Sequence, residues 1–193
     1  MEKNHKDELY KLLDGCVKND RKSQKRLFEM QYGKLLPVCM RYVKDIDEAK
    51  DVLQVGFIKI FEKIHSFTKD GSLEGWMRRI VVNTAIDHIR KTKNDPLSME
   101  DDYVKLQANQ KAEEMDFSLD ESMLKLKAKE AMEAIDQLTP AYKKVFCLYV
   151  LENYTHKEIA ELLDVSEGTS KSNLAKAKQN LRAILEKKFE KYE

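Results

Sequence analysis

An acidic segment near the middle of the chain separates two parts, and this division constrains the fold more than any other feature of the sequence. Residues 94–122 contain Pro96 and a clear excess of Asp and Glu, a composition that favours a linker over a packed core. Apolar residues recur at helical spacing on both sides of it. We therefore predict a first domain over residues 1–93, an acidic linker over residues 94–122 and a second domain over residues 123–193.

The charges follow the same division. Residues 1–93 carry 20 Lys/Arg against 14 Asp/Glu, residues 94–137 carry 5 against 12, and residues 138–193 carry 10 against 8, although the whole chain has a net charge of only +1. Basic lobes can neutralise phosphates, whereas an acidic connector is repelled from DNA. The pattern favours a nucleic-acid-binding protein with two binding parts, and ordinary solvated helix faces are the alternative.

Both parts are predicted to be helical. The chain has 6 Gly and 3 Pro, too few for a turn-rich β fold, and Lys, Glu, Leu, Asp and Ala, mostly good helix formers, dominate it. The fold class is therefore all-α, with two small helical domains. Periodicity predicts three helices in the first domain: Lys22–Val43, kinked or interrupted at Pro37, then Asp47–Ile64, then about Leu73–Lys91 after a loop over residues 65–75.

Capping signals locate the helices of the second domain. The first predicted helix begins at Ser118, with Glu121 completing a capping box, and ends at about Gln137; the second begins at Thr139-Pro140 and continues through Leu151. The third begins at Thr155, with Glu158 completing a capping box, and ends at Leu163, and the fourth begins at Ser166 and ends at about Lys188. A short helix, a tight turn and a long helix in this order indicate a helix-turn-helix, against a generic helical hairpin. Ala160 would let the helices cross closely, Asp164 would take a left-handed turn conformation, and Val165 would plug the core.

Two helices of the first domain carry unusual outer faces. In the helix over residues 48–64, Ala49, Val52, Leu53, Gly56, Phe57, Ile60, Phe61 and Ile64 form the core face, while Asp51, Gln54, Val55 and Ile58 lie opposite. Two apolar side chains among polar ones suggest a docking surface, and scattered exposed apolar residues are the alternative.

The helix over residues 73–91 has a second mixed face. Met77, Val81, Val82, Ala85, Ile86 and Ile89 form its apolar side, and Trp76, Arg79, Ile80, Asn83, Asp87 and Arg90 form the other. An aromatic ring, two arginines and an amide can stack on an unpaired base and hold phosphates. The alternative is an ordinary amphipathic helix in which Trp76 caps the core and Asp87 pairs with Arg90.

Other classes of protein find little support. The histidines His5, His65, His88 and His156 lie apart from any nucleophile or metal-ligand pattern, and there is no phosphate-binding glycine loop, so we predict neither an enzyme nor a metal or cofactor site. Three widely spaced cysteines indicate buried thiols in a reducing compartment. The start of the chain lacks a secretory apolar core, and no stretch approaches the roughly 18 apolar residues of a membrane span, so we expect a cytoplasmic protein without membrane insertion.

Several strings together resemble one family, the extracytoplasmic-function group of bacterial sigma-70-type transcription factors. DEAKDVLQVGFIKIF, the SF before the loop, and WMRRIVVNTAIDHIRK are similar to its region two, and LTPAYKKVFCLYVLENYTHKEIAELLDVSEGTSKSNLAKAKQNLR is similar to its region four. The resemblance covers about Lys22 to Leu185. It implies a factor that binds core RNA polymerase, directs it to promoter DNA, and is restrained by an anti-sigma factor.

The resemblance also implies roles for residues. Docking on the β′ clamp helices would involve Asp51, Gln54, Val55, Phe57 and Ile58, although periodicity turns Phe57 toward the core. The loop from Phe67 to Gly75 would hold a flipped base of the minus-ten element, with contributions from Phe67, Asp70, Ser72, Trp76, Arg79, Asn83 and Arg90. The minus-thirty-five element would be read by the terminal helix and its surroundings, through Thr155, Ser166, Glu167, Thr169, Lys171, Ser172, Lys176 and Lys178, with Arg182 near phosphate. The second domain would also contact the β flap, and the linker would run toward the RNA exit path.

The sequence departs from the family pattern at three places. Val55 and Gly56 follow the docking glutamine where an acidic residue is frequent, Asp164 stands in the turn where glycine is frequent, and Ser170 stands where valine is usual. Promoter preference therefore does not carry over from the family. Two other functions remain as alternatives: an autonomous DNA-binding regulator that uses only the second domain, and an adaptor or anti-factor that binds protein through similar surfaces.

Overall fold

The computed structural model describes residues 2–92 and 121–189. Within these two ranges every element of regular secondary structure is a helix, which confirms the predicted all-α fold. The helices are α1 (Glu2–Val17), α2 (Arg21–Met40), α3 (Ile46–Lys63), α4 (Leu73–Thr92), α5 (Glu121–Asp136), α6 (Pro140–Phe146), α7 (His156–Leu163) and α8 (Glu167–Phe189). A 3-10 turn (Ile64–Ser66) follows α3, and a turn of π-helix (Cys147–Leu151) continues α6. The predicted linker falls almost wholly outside the described residues, as does the predicted cap Ser118.

The chain forms two compact units, Met1–Pro96 and Leu97–Glu193. In the first unit, aspartate side chains cap two helices: Asp20 accepts from the backbone of α2, and Asp45 from that of α3. Helices α3 and α4 cross at Gly56, where an added Cβ would lie 3.1 Å from Cγ2 of Val81. A glycine at this point therefore sets how closely the two helices approach.

Two features of the first unit differ from the sequence-based expectation. Helix α1 was not predicted, yet Leu9, Leu13 and Cys16 are buried and dock it against α2. Pro37 does not interrupt α2, because the helix continues past it to Met40. Pro37 lies in the last turn, so the missing N–H removes a single helical hydrogen bond near an end that is already held by buried neighbours.

In the second unit the capping predictions at Thr155 and Ser166 are confirmed, whereas the Thr139 side chain makes no capping hydrogen bond at the start of α6. Thr155 and Glu158 form a reciprocal capping box at the start of α7, and Ser166 Oγ accepts a hydrogen bond from Thr169 N at 2.9 Å at the start of α8. Asp164 adopts the expected left-handed conformation, with φ 56° and ψ 49°. These caps fix the short helix, the turn and the long helix in the predicted order.

Ser170, and not Val165 as predicted, is the buried side chain at this point of the helix-turn-helix core. Val165 is only half-buried, whereas Ser170 is fully buried and its Oγ lies 2.9 Å from Nδ1 of His156. The ring of His156 stacks on Tyr149 with centroids 4.5 Å apart. The serine that replaces the usual valine therefore has a hydrogen-bond partner in this chain, which offsets the cost of burying its hydroxyl.

All three cysteines are buried free thiols, as predicted. Burial raises the pKa of Cys16 to about 11, with a smaller contribution from the negative charge of Asp20. Burial likewise raises the pKa of Cys39 to about 12. These two thiols are therefore neutral and unreactive in the folded protein at ordinary pH. None of the described helices has the length and apolar character needed to cross a membrane.

Candidate docking and nucleic-acid interfaces

The outer face of α3 combines polar and apolar side chains on one exposed strip. Asp51, Gln54, Val55 and Ile58 are all exposed and follow helical spacing, so they lie on one side of the helix. Val55 is 46% exposed and Ile58 is 57% exposed, which places two large apolar groups in water. We call these four residues the α3 face. Their arrangement suits a protein partner that would cover the apolar pair.

Phe57 does not belong to this surface. The residue is 2% exposed, and its ring packs against Phe28 with centroids 4.6 Å apart and against Phe61 at 6.0 Å. This burial leaves the Phe57 ring no surface for a direct contact in the free protein, so the docking role that family resemblance implies for it stays a prediction. Helical periodicity had indicated this burial, because position 57 falls on the same side of α3 as Leu53 and Ile60.

An open cleft of about 400 Å³ lies where the loop after α3 meets the start of α4. The cleft is lined by Ser66, Phe67, Thr68, Gly71, Ser72, Gly75, Trp76 and Arg79. The rings of Phe67 and Trp76 contact each other with centroids 5.6 Å apart at an angle of 48°. Two aromatic rings, inclined to each other beside an arginine, give an apolar surface for stacking next to a positive charge, which suits a planar, negatively charged ligand such as a nucleotide.

Four residues predicted to contact the minus-ten element line this cleft, namely Phe67, Ser72, Trp76 and Arg79. Ser72 Oγ also accepts a hydrogen bond from Gly75 N at 3.2 Å at the start of α4. Asp70 is exposed but is not part of the lining. The contributions of Ser66, Thr68, Gly71 and Gly75 were not singled out, although the two glycines marked the loop.

The remaining predicted residues of α4 continue from the cleft along the helix. Asn83 is half-buried one turn beyond Arg79, and Arg90 is exposed near the end of α4. The alternative reading of α4 had Asp87 pair with Arg90, whereas in the structure Lys59 Nζ lies 3.6 Å from Asp87 Oδ2 and connects α3 to α4. Trp76 contacts Phe67 and lines the cleft instead of capping the core.

In the second unit, two predicted DNA-binding residues serve as helix caps. The Thr155 hydroxyl accepts from Glu158 N at 3.3 Å, while Thr155 N donates to Glu158 Oε2 at 2.8 Å. Ser166 Oγ lies 2.9 Å from Thr169 Oγ1 in addition to its capping bond. Both caps stabilise the helix starts, so any contact they make with DNA would be added to that structural role.

The first turns of α8 present the predicted reading residues to solvent. Glu167, Lys171 and Ser172 are exposed and Thr169 is half-buried. Lys171 Nζ lies 3.7 Å from Glu167 Oε2, a weak exposed ion pair that a phosphate or base can displace. Further along, Lys178 and Arg182 are exposed, whereas Lys176 is half-buried with its Nζ 6.0 Å from the centre of the Tyr142 ring.

No group of three or more His, Cys, Asp or Glu residues within the described ranges is placed to hold a metal ion. The surfaces described above combine apolar, aromatic, basic, acidic, amide and hydroxyl side chains. Such groups bind macromolecules by packing, stacking and charge. One unit thus has the exposed α3 face and an aromatic cleft, and the other is a helix-turn-helix with its long helix exposed at the start.

Comparison with known proteins identifies the class to which this architecture belongs. Residues 27–94 match the family model described as Sigma-70 region 2, and residues 128–181 match the one described as Sigma-70, region 4. The chain is 25% identical over 183 residues to the ECF RNA polymerase sigma factor SigM of Mycobacterium tuberculosis, covering 94% of this chain and 86% of that protein. It is also 25% identical over 189 residues to the ECF RNA polymerase sigma factor SigW of Bacillus subtilis, covering 92% and 96%.

A solved structure is also similar, that of the sigma factor RpoE of Bartonella quintana in a co-crystal with the anti-sigma factor NepR. It has a TM-score of 0.48 and 18% sequence identity, and the match covers 84% of this chain and 96% of that one.

The chain belongs to the sigma-70 family, in its extracytoplasmic-function group. Its function is promoter-specific initiation of transcription with RNA polymerase.

Proposed function

We propose that the α3 face docks this chain on the clamp helices of the polymerase β′ subunit. The exposure of Val55 and Ile58 between Asp51 and Gln54 carries this proposal. Burying two apolar side chains supplies affinity, while the carboxylate and amide fix the register of the contact. Val55 contributes an apolar surface to this docking at a position where the family often has an acidic residue. Docking of this chain therefore depends less on charge.

The cleft beside the loop captures one unstacked base of the minus-ten element. The rings of Phe67 and Trp76 supply a stacking surface, and Arg79, with Asn83 and Arg90 further along α4, follows the strand. Asp70 stands beside the cleft in the same loop. Unstacking and unpairing a base costs a few kcal/mol, and stacking in the cleft repays about 1–3 kcal/mol of it.

The start of α8 reads the minus-thirty-five element in the major groove. Glu167, Thr169, Lys171 and Ser172 face the bases, and Lys176, Lys178 and Arg182 face phosphates. The same unit contacts the β flap. For Lys176, phosphate binding competes with its position over Tyr142.

No covalent step is required of this chain, because nucleotide chemistry belongs to the polymerase and the factor contributes only binding free energy. The protein acts in the cytoplasm, where polymerase and promoter DNA are found. An anti-sigma factor that covers the docking or DNA-binding surfaces would hold it inactive.

The docking assignment is tested by replacing Asp51 and Gln54 together with alanine. Association with purified core polymerase should fall at least tenfold, because both side chains lie on the α3 face, and the thermal unfolding midpoint should stay within 2 °C. Glu29→Ala on the exposed surface of α2 is the matched control and should bind like the unmodified chain. Unchanged association of the double variant would refute the docking assignment.

The reading role of α8 is tested by Lys171→Ala. Holoenzyme containing this variant should transcribe about 5- to 150-fold less from a promoter with an intact upstream element, because one groove contact is worth about 1–3 kcal/mol, and core binding should not change. Glu186→Ala, at an exposed position late in α8, serves as control. Equal transcription by the unmodified protein from intact and scrambled upstream elements would remove this role.

A further inference from the structure

The loop that forms one wall of the cleft has little support of its own. Residues 68–71 make no backbone–backbone hydrogen bond within the part of the chain that the structure describes. Lys69 is also held at φ 63°, a left-handed conformation that residues other than glycine seldom adopt. Contacts from outside the loop must therefore maintain its shape.

Helix α1 supplies two such contacts. The Tyr10 hydroxyl donates a hydrogen bond to the Gly71 carbonyl oxygen at 3.3 Å, and Lys69 Nζ lies 3.2 Å from Asp14 Oδ1. Tyr10 and Asp14 are one helical turn apart and therefore lie on the same side of α1. Gly71 lines the cleft, and Lys69 directly follows Thr68, which also lines it.

The helix that makes these contacts is itself firmly placed. Leu9, Leu13 and Cys16 anchor the inner face of α1 in the core. On its surface, Arg26 Nη2 of α2 lies 3.1 Å from Glu8 Oε1. The contact between Glu8 and Arg26 holds α1 to α2 but does not reach the loop, so it provides a matched control.

We propose that Tyr10 and Asp14 are positioning residues for base capture, which hold the loop in its cleft-forming shape before DNA arrives. The inference rests on the proposed function of the cleft. When the loop is ordered before binding, no conformational entropy is lost in ordering it on binding, and the affinity for the unpaired strand is higher for that reason. Loss of the two contacts therefore weakens capture although no residue that lines the cleft is substituted.

The test compares Tyr10→Phe/Asp14→Asn with Glu8→Gln in holoenzyme reconstituted with core polymerase. The probe is fork-junction DNA with an unpaired minus-ten strand, taken from a promoter that the unmodified protein transcribes from a pool of genomic fragments. The double variant should bind this probe about three- to tenfold more weakly than the unmodified protein, as expected for loss of one or two modest polar contacts. Its affinity for core polymerase should be unchanged. Acrylamide should also quench the fluorescence of Trp76, the single tryptophan of the chain, more strongly in the double variant.

Glu8→Gln should match the unmodified protein in fork binding and quenching. Asp14→Glu, which keeps the charge, should recover most of the affinity lost in Asp14→Asn. The inference is overturned if the double variant binds the fork as tightly as the unmodified protein, or if Glu8→Gln weakens binding equally, since the effect would then reflect general docking of α1. If the unmodified holoenzyme fails to distinguish the fork from one with a scrambled unpaired strand, the proposed capture function itself is wrong and the positioning role falls with it.

Discussion

Replacing Phe57 by alanine tests whether this residue is a surface contact, as the family motif suggests, or a core residue, as its burial indicates. As a surface contact, Phe57 could be truncated without harm to the fold; as a core residue, it could not. The ring is 2% exposed and packs against Phe28 and Phe61, so truncation leaves a cavity between α2 and α3. Truncations of buried phenylalanines cost about 3–5 kcal/mol.

That cost is a large fraction of the stability available to the first unit. A unit of this size has a free energy of unfolding of roughly 5–14 kcal/mol. Because 1 kcal/mol shifts the midpoint of such a domain by about 4–8 °C, Phe57→Ala should lower the midpoint of the first unit by roughly 12–40 °C. The variant will therefore be partly unfolded near physiological temperature if the unit is at the lower end of this range.

Trp76 fluorescence provides an assay for the first unit alone, because it is the only tryptophan and lies in that unit. Thermal and urea unfolding followed at this residue should both show the loss. Ile58→Ala is the matched control: this neighbouring side chain is 57% exposed, so its removal should change stability by no more than about 0.5 kcal/mol. The control should nevertheless weaken binding to core polymerase, because Ile58 lies on the α3 face.

The opposite pattern would contradict a core role for Phe57. If Phe57→Ala moved the midpoint by less than 5 °C while abolishing polymerase binding at a temperature where the variant is folded, the residue would be a contact in the complex. Its burial in the free protein would then have to be relieved on docking. If Ile58→Ala destabilised the unit as strongly as Phe57→Ala, the α3 face would not be a free surface.

Two further predictions concern backbone conformation and thiol chemistry. Asp164→Gly should stabilise the second unit by up to about 1 kcal/mol in urea unfolding, because the left-handed turn is costly for a residue with a Cβ, whereas Asp164→Val should destabilise it. Cys16 and Cys39 have folded-state pKa values of about 11 and about 12, above the ordinary value of 9.0. The unfolded thiols therefore lose their protons first as the pH rises, so stability should be retained below pH 9 and should fall above it. Urea midpoints at pH 8 and pH 10 should show this fall, and substitution of both cysteines by alanine should reduce it.

Local signals predicted the second unit well. The capping box at Thr155, the cap at Ser166 and the left-handed turn at Asp164 each involve residues within three or four positions of one another. Such interactions are readable from sequence because their partners are close along the chain. Ser170 was different: its partner is His156, fourteen positions earlier, so the burial of this serine depended on how α7 and α8 pack.

In the first unit the missed features have physical explanations. Helix α1 had a signal, since Leu9, Leu13 and Cys16 recur at helical spacing, but the many charged residues around them obscured it. The cleft could be predicted only in part, because its shape depends on contacts such as that between Tyr10 and Gly71, which are 61 positions apart. Periodicity correctly placed Phe57 in the core, whereas the family motif alone suggested a surface role.

The close contact between α3 and α4 bears on how docking can help to open DNA. Gly56 lets the helices cross closely, and Lys59 reaches Asp87 across the same contact, so the α3 face and the cleft belong to one compact unit. Under the proposed docking, binding of polymerase at the α3 face would fix the position of the cleft relative to the enzyme. The base would then meet an already oriented site, and the entropy of association would not be lost a second time. Stacking in the cleft would then need to offset only the local cost of unstacking, so a small factor bound to polymerase could support melting.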